Sequence, residues 1–386
     1  MIRLLVALSL LLTPLLTPGA AAQCSSALAA SGPYGTAEGA SGNAQYVVYL
    51  PQPATCFNGG VILFAHGYIP VGAPPGTWLS QLQLPDGTSI PALVNKLGYG
   101  FAASSFSKDG LAVLEGIQDT KALVNVLHGF NVPVRKVWIT GASEGGLVTA
   151  KSAEADPTYA GGVAVCGPIG SFQRQINYLG DARVLFDYFF PGVLGARWTA
   201  NNITIPAELM ADWTTKYVPA IANAVNANPL ATFQFLITSK IAIGINPANA
   251  AGAIISALWY NVFATNDARA TLGGNPYDNI GRTYRGSFND RKLNASVARF
   301  GADSTARVHL ADYETDGLLS DPLVTLHTIF DPQVPFWQEP LYREKVESRN
   351  KLSDLNQVPV FAFGHCNVSA TDAETALGLL FLKTGF

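Results

Sequence analysis

The sequence predicts an α/β fold: a mostly parallel central sheet with helices on both faces, carrying a large helical insertion. Three observations predict it. Short continuous apolar runs alternate with stretches of helical periodicity up to residue 169, as strands buried on both faces do. A Gly-x-Ser-x-Gly pentapeptide lies between one such run and a helix. The alternation stops at residue 170 and resumes at residue 321.

In chain order, residues 1–22 read as a cleavable export signal. Arg3 supplies a positive start, residues 4–16 are apolar, and Ala20-Ala21-Ala22 is a small-residue cleavage site before Gln23. That apolar stretch is too short for a bilayer, which needs about 20 residues. Residues 237–258 are broken by Pro247 and carry Lys240. No stable membrane anchor is therefore expected, and the mature chain is expected to be secreted or periplasmic. Charged residues are only 13% of the 386, against about 25% in an average soluble protein. The 24 basic residues, Arg3 among them, face 27 acidic ones without forming a basic run, which argues against a nucleic-acid partner. Low charge fits an exported protein acting on a neutral or apolar substrate.

Residues 45–51 alternate and then run apolar, as an early strand does. Residues 60–65 form an apolar run that ends at His66-Gly67-Tyr68, and residues 99–105 another. Leu111, Leu114, Ile117, Leu123, Val124 and Leu127 share one helical face, with Gly129 past the end. Strands are expected at 136–140 and 162–167, with a helix after the serine turn between them. Within the insertion, residues 207–227 and 233–242 look helical. Strands return at 323–330 and 358–363, with helices near 340–351 and 370–382. The expected organisation is a core of residues 23–169 and 321–386 around an insertion of residues 170–320.

The chemistry centres on Gly141-Ala142-Ser143-Glu144-Gly145-Gly146. A serine at a tight strand-to-helix turn takes strained backbone angles, and its neighbours must be small. Gly141 and Gly145 supply that room, so Ser143 reads as a nucleophile rather than a helix cap. A serine hydroxyl needs a base, and the base an orienting acid. Of the five histidines, His365 directly follows the last strand, on a loop able to reach the sheet's C-terminal edge. His128 lies near a helix end before Gly129, which suits a structural role, His309 sits in the insertion with no supporting pattern, and His327 lies within a strand. Asp331 ends the strand at 323–330, where Pro332 stops it. Asp316, Asp321 and Glu339 are weaker candidates for the acid.

Taken together, these residues resemble the α/β-hydrolase fold of secreted esterases and lipases. The resemblance covers residues 45–169 and 321–386, not the insertion. It implies a Ser143–His365–Asp331 triad, and an oxyanion hole made by the backbone N–H groups of Glu144 and Tyr68. His66 and Gly67 would be structural, with the His66 imidazole bracing the loop. Glu144 departs from the commonest residue after the serine, so its carboxylate is expected to turn outward or to be hydrogen-bonded. The insertion falls where this fold usually carries a cap. Tyr178, Phe186, Tyr188, Phe189, Phe190, Trp198, Trp213, Trp259 and Tyr260 are concentrated there. Most are expected to pack the cap's own core, and some to line an acyl pocket.

The four cysteines, Cys24, Cys56, Cys166 and Cys366, suit two disulfides in an exported chain, with three possible pairings. The implied fold brings Cys166, after one strand, near Cys366, beside His365. Cys24–Cys56 and Cys166–Cys366 are expected; a buried free thiol at Cys166 competes. No Cys/His spacing suggests a metal and no phosphate-binding loop is present, so no cofactor is expected. The implied reaction is hydrolysis of a small-molecule or polymeric ester through an acyl-enzyme. A peptidase or amidase of the same fold, or a binding protein retaining it, are the competing readings.

Overall fold

The computed structural model describes residues 24–35, 44–130 and 133–385; the export-signal segment lies outside them. In chain order the core begins with β1 (Ser25–Pro33), β2 (Gln45–Gln52), β3 (Gly60–Ala65), α1 (Ile90–Lys96) and β4 (Gly100–Ser104). It continues with α2 (Val113–His128), β5 (Lys136–Ala142), α3 (Glu144–Ala155) and β6 (Gly162–Val165). Seven helices follow: α4 (Phe172–Phe189), α5 (Ala207–Ala211), α6 (Val218–Ala227), α7 (Pro229–Ser239), α8 (Ala250–Leu272), α9 (Asp290–Ser296) and α10 (Ser304–Leu310). The chain closes with β7 (Leu323–Phe330), α11 (Gln338–Ser348), β8 (Leu355–Phe363) and α12 (Ala370–Thr384).

The eight strands form one sheet in the order β1-β2-β4-β3-β5-β6-β7-β8. β1 and β2 are antiparallel to their neighbours, and β4 through β8 pair in parallel. This is the α/β-hydrolase strand order. Its central strands are apolar on both sides because both are covered. On one face Leu63, Ile139 and Ala164 pack against α2, α3 and α11 through Leu123, Leu147 and Tyr342. On the other, Phe64, Trp138 and Val163 pack against α1 and α12 through Val94 and Leu377. β1 is the strand the sequence conceals. Its Ser- and Ala-rich segment carries no apolar alternation, and it is held instead by pairing along β2 and by the Cys24–Cys56 disulfide.

The helices between β6 and β7 have a hydrophobic core of their own, built on residues such as Phe186, Trp198, Phe235 and Leu258. α8 joins this layer to the sheet. Its 23 residues span roughly 35 Å at 1.5 Å per residue, and its last turns place Ala268 and Leu272 in the main core. The Asp267 carboxylate accepts the Leu111 N–H at 2.5 Å, securing α8 to the segment before α2. α2 itself starts at Val113, so Leu111 lies just ahead of the helix rather than within it.

Candidate active site

The sheet order reverses between β4-β3 and β5, so the chain leaves the C-terminal ends of β3 and β5 in different directions. That leaves a crevice at the strand ends, where open α/β sheets bind ligands. Ala65 and Gly141 are register partners, so the two segments after them, His66-Gly67-Tyr68 and Ala142-Ser143-Glu144, lie side by side. Ser143 has φ 58° and ψ −119°, a conformation that costs a non-glycine residue of order 1–3 kcal/mol. Surrounding backbone enforces it. A Cβ at Gly145 would sit 2.0 Å from the Ala65 carbonyl oxygen, and one at Gly141 would sit 2.3 Å from that of Gly145. One at Gly67 would come within 3.1 Å of the Ser143 Cβ. The glycines permit α3 to start directly against β3 and β5, with the Ser143 hydroxyl at its N-terminus.

Ser143, His365 and Asp331 form one hydrogen-bonded line. The Ser143 hydroxyl lies 2.8 Å from His365 Nε2, and His365 Nδ1 lies 2.7 Å from Asp331 Oδ2. A carboxylate oxygen accepts, so Nδ1 donates and Nε2 is left to receive the serine proton. Asp331 is fully buried. Its Oδ1 accepts the N–H groups of Gln333 at 2.8 Å and Val334 at 3.0 Å, which fixes the carboxylate at the end of β7. Cys366 is bonded to Cys166, with Cα atoms 5.4 Å apart, so the residue after His365 is tied to the end of β6. Both cysteine pairs match the expected connectivity, and no free thiol is present among the described residues. Hydroxyl, imidazole and carboxylate in this order can move a proton from Oγ as it attacks an acyl carbon.

The other candidate acids lie elsewhere. Glu339, on α11, contacts Thr325, His327 and Gln357. Asp316 pairs with Arg349 at 4.0 Å, and Asp321 lies just before β7. His327 is a core residue of β7, bonded to Glu339 and to the Val334 carbonyl. His309 contacts the Leu272 carbonyl, and His128 ends α2.

The loop after β3 is braced from both sides. His66 is buried, its Nδ1 lies 2.7 Å from the Gly67 carbonyl, and its ring stacks on Phe106 with centroids 3.9 Å apart. Gln81 Oε1 accepts the Gly67 N–H at 2.6 Å, and its amide reaches the Tyr68 carbonyl at 3.4 Å. The Tyr68 hydroxyl donates to the Phe263 carbonyl on α8 at 3.3 Å. No partner among the described residues accepts a hydrogen bond from the backbone N–H of Tyr68 or of Glu144. Both remain available beside Ser143.

The Glu144 side chain is hydrogen-bonded, one of the two expected outcomes, and lies in the core, outside the lining of the cavity beside Ser143. It is buried, and Oε1 accepts the Ala112 N–H at 2.9 Å. Oε2 has no partner among the described residues. Burial pushes its pKa up to about 8; nearby Asp267 and Glu115 push the same way, while the Ala112 N–H and Lys108 oppose them. A neutral carboxylic acid is the form this site accommodates at pH 7, since an unpaired buried charge is costly.

A cavity of about 510 Å³ opens beside Ser143 and His365. It runs along the sheet face that carries α1 and α12. Phe64, Thr140, Val163 and Leu326 form its floor, and Leu93 and Leu377 stand at its sides. Of the cap aromatics named from the sequence, only Tyr260 lines it. The expectation that several of them form an acyl pocket is therefore corrected. Phe186, Phe190, Trp198 and Trp213 are buried in the cap's own core, because their helices must bury apolar faces against one another. Tyr260 is the residue that sequence reasoning left unassigned. It lines the cavity together with Ser143, and burial, foremost, raises the pKa of its hydroxyl, so it keeps its proton. Its ring meets Tyr68 with centroids 5.9 Å apart. Nothing in the pattern of α8 distinguishes it from neighbouring Trp259. His365 lies near both Cys166 and Cys366, but those sulfurs are bonded to each other and offer no thiolate for a metal.

In overall shape the chain is similar to the rice cell wall degrading esterase LipA from Xanthomonas oryzae, at TM-score 0.45 and 15% identity over 94% of this chain and 89% of that one. It is similar to the Pyrococcus furiosus esterase Pf2001 at TM-score 0.46 and 13% identity, over 92% and 89%. It is also similar to Pyrococcus horikoshii acylaminoacyl peptidase at TM-score 0.45 and 10% identity, where 93% of this chain covers only 41% of that one. No family model matches the sequence, and no curated protein is detectably similar to it. The strand order and the serine elbow between β5 and α3 make this an α/β-hydrolase fold.

Proposed function

We propose that the protein is an exported serine hydrolase that cleaves carboxylic esters, with Ser143 as nucleophile, His365 as base and Asp331 as its orienting acid. The observation that carries this reading is the unbroken Ser143–His365–Asp331 hydrogen-bonded line at the end of a backbone-enforced elbow. Ser143 Oγ attacks the ester carbonyl while His365 Nε2 takes its proton. The carbonyl oxygen becomes an oxyanion facing the N–H groups of Tyr68 and Glu144. Collapse expels the alcohol, which receives that proton from His365. Water, activated by the same imidazole, then releases the acid and restores Ser143. Preorganised donors matter because losing one such N–H costs roughly 3–4 kcal/mol of transition-state stabilisation. Residues 170–320 act as the cap and residues 23–169 and 321–386 as the catalytic core.

Two features support an ester over a peptide. The cavity beside Ser143 is predominantly apolar along its floor and sides. No Asp, Glu, Lys or Arg side chain lines it to hold a peptide terminus. The test is labelling by a fluorophosphonate probe, with turnover of p-nitrophenyl esters compared against aminoacyl p-nitroanilides. Labelling and ester turnover should both vanish in Ser143→Ala while the fold persists. Anilide turnover exceeding ester turnover would favour the amidase reading, and an unlabelled wild type would remove the enzyme reading altogether.

A further inference from the structure

The sheet face beneath Ser143 holds a space that a packed α/β core does not need. Register sets its levels. Ala142 pairs with Val165, and Val165 with Leu326, in the row nearest the serine. Phe64, Thr140 and Val163 form the row below. All of these line the cavity. In the next row stands Trp138, closed off by Tyr99 and Phe381 at centroid distances of 5.6 and 5.2 Å. From Ser143 to the level of Thr140 the strand rises about 10 Å at roughly 3.3 Å per residue. Over β5 the space thus begins at the nucleophile and ends above a tryptophan, while over β3 it reaches one row farther, to Ile62, the register partner of Trp138.

Its chemistry narrows the occupant. Away from the mouth, the surfaces facing the cavity are mainly those of Phe64, Val163, Leu326, Leu93 and Leu377. The hydroxyl at depth on the sheet, Thr140 Oγ1, already donates to the Val163 carbonyl at 2.9 Å. Thr140 Oγ1 can still accept a hydrogen bond, but it is one hydroxyl amid apolar surface. Tyr68, Tyr260, Ser143 and His365 stand at the serine end, and Ser80, Gln81 and Gln83 of the segment before α1 line the space as well. An ester seated with its carbonyl at Ser143 would send its acyl part into the dry end and leave its alcohol toward the cap. At about 1.3 Å of advance per methylene, given C–C bonds near 1.52 Å, 10 Å accommodates about eight carbons.

We propose that this cavity is the acyl site and that the preferred substrate is an ester of a straight-chain fatty acid of about six to ten carbons. The proposal rests on the reading of Ser143 as the nucleophile. It places acyl selectivity in the core, on α1, α12 and the sheet, rather than in the cap.

The experiment is kcat/KM for p-nitrophenyl esters from acetate to palmitate, with fluorophosphonate labelling to count active enzyme. In the wild type kcat/KM should climb by up to about fourfold per methylene, the worth of burying one CH₂, peak near octanoate and fall beyond decanoate. Ala373 lines the cavity from the first turn of α12 and is partly exposed, so Ala373→Phe should fill the space with little disturbance to the core. It should lower octanoate kcat/KM at least tenfold relative to acetate and move the optimum to shorter chains. A labelled wild type with its optimum at acetate, or one preferring a hydroxycinnamoyl ester to octanoate, overturns the acyl assignment alone. So does a labelled Ala373→Phe with an unchanged profile. Absent labelling together with absent hydrolysis of every ester overturns the nucleophile reading, and this proposal with it.

Discussion

Glu144→Gln isolates the consequence of placing a carboxylic acid immediately after a nucleophilic serine. Burial first, then Asp267 and Glu115, raise the Glu144 pKa to about 8. Below that pH the side chain is neutral and its backbone N–H can serve an oxyanion without opposition. Above it a negative charge appears on the same residue. The carboxylate cannot lie farther than about 5 Å from its own N–H by covalent reach, and the oxyanion stands a hydrogen bond beyond. At about 8 Å and an effective dielectric constant of 20, the repulsion is about 2 kcal/mol, a factor of roughly 30 in rate. At pH 9 about nine-tenths of the molecules are ionised, so activity should fall roughly eightfold between pH 7 and pH 9. Glutamine keeps the acceptor for the Ala112 N–H and cannot ionise. The variant should match wild type at pH 7 within about threefold and hold its activity to pH 9. Stability should follow the same sign. A folded-state pKa above the unfolded value penalises the folded chain progressively as pH rises from about 4.5 to 8. The variant's unfolding midpoint should therefore gain on wild type over that window. Initial rates on an ester, corrected for spontaneous hydrolysis, together with thermal melts at each pH, check both. Parallel alkaline losses in the two proteins would refute the reasoning.

Asp331→Asn should lower kcat by about four orders of magnitude at pH 7, because an amide cannot hold the imidazole in the tautomer that leaves Nε2 open; steady-state kinetics checks it, and a loss below tenfold would remove Asp331 from the site. Tyr260→Phe should lower kcat roughly fivefold with KM nearly unchanged, since it removes a phenolic donor from the cavity wall it shares with Ser143 and one hydrogen bond is worth about 1 kcal/mol. A change confined to KM would make Tyr260 a contact for the ground state alone.

The parts legible in the sequence are those whose constraint is local. Gly141, Ser143 and Gly145 announce the elbow because the backbone of Ala65 and Gly145 leaves no room for a Cβ. Asp331 and His365 are readable because each follows a short apolar strand, and the parallel sheet gathers strand ends on one edge. β1 was not legible: a Ser/Ala segment becomes a strand only through β2 and a disulfide that ties Cys24 to Cys56. The inward turn of Glu144 depends on the Ala112 N–H, 32 residues away. The cavity depends on spacing between α1, α12 and four strands, a property of no single segment. Tyr260 lines the cavity from α8, which Asp267 secures to Leu111, 156 residues away in sequence. In each case the deciding partner is remote, and apolar periodicity reports only that a face is buried, not against what.

Of the three packed clusters, that of the helices between β6 and β7 and that of the sheet face with α1 and α12 contribute differently to the cavity. The cap buries its aromatics against itself and lends the cavity Tyr260 alone among the aromatics named from its sequence. The sheet face with α1 and α12 supplies most of the apolar surface beneath Ser143. Ser143, His365, Asp331 and the N–H groups of Tyr68 and Glu144 sit on segments fixed by steric exclusion at Gly145, a disulfide at Cys366 and Gln81 at Gly67. Changes in the cap can then alter what the alcohol side meets without reshaping the acyl side. Changes at Ala373 or Leu377 can do the reverse. Repacking a residue such as Phe186 or Phe235, buried in the cap and absent from the cavity lining, should leave the order of preference among acyl chains intact even where it lowers stability. A change in that order on repacking Phe235 would mean that the cap shapes the acyl site after all.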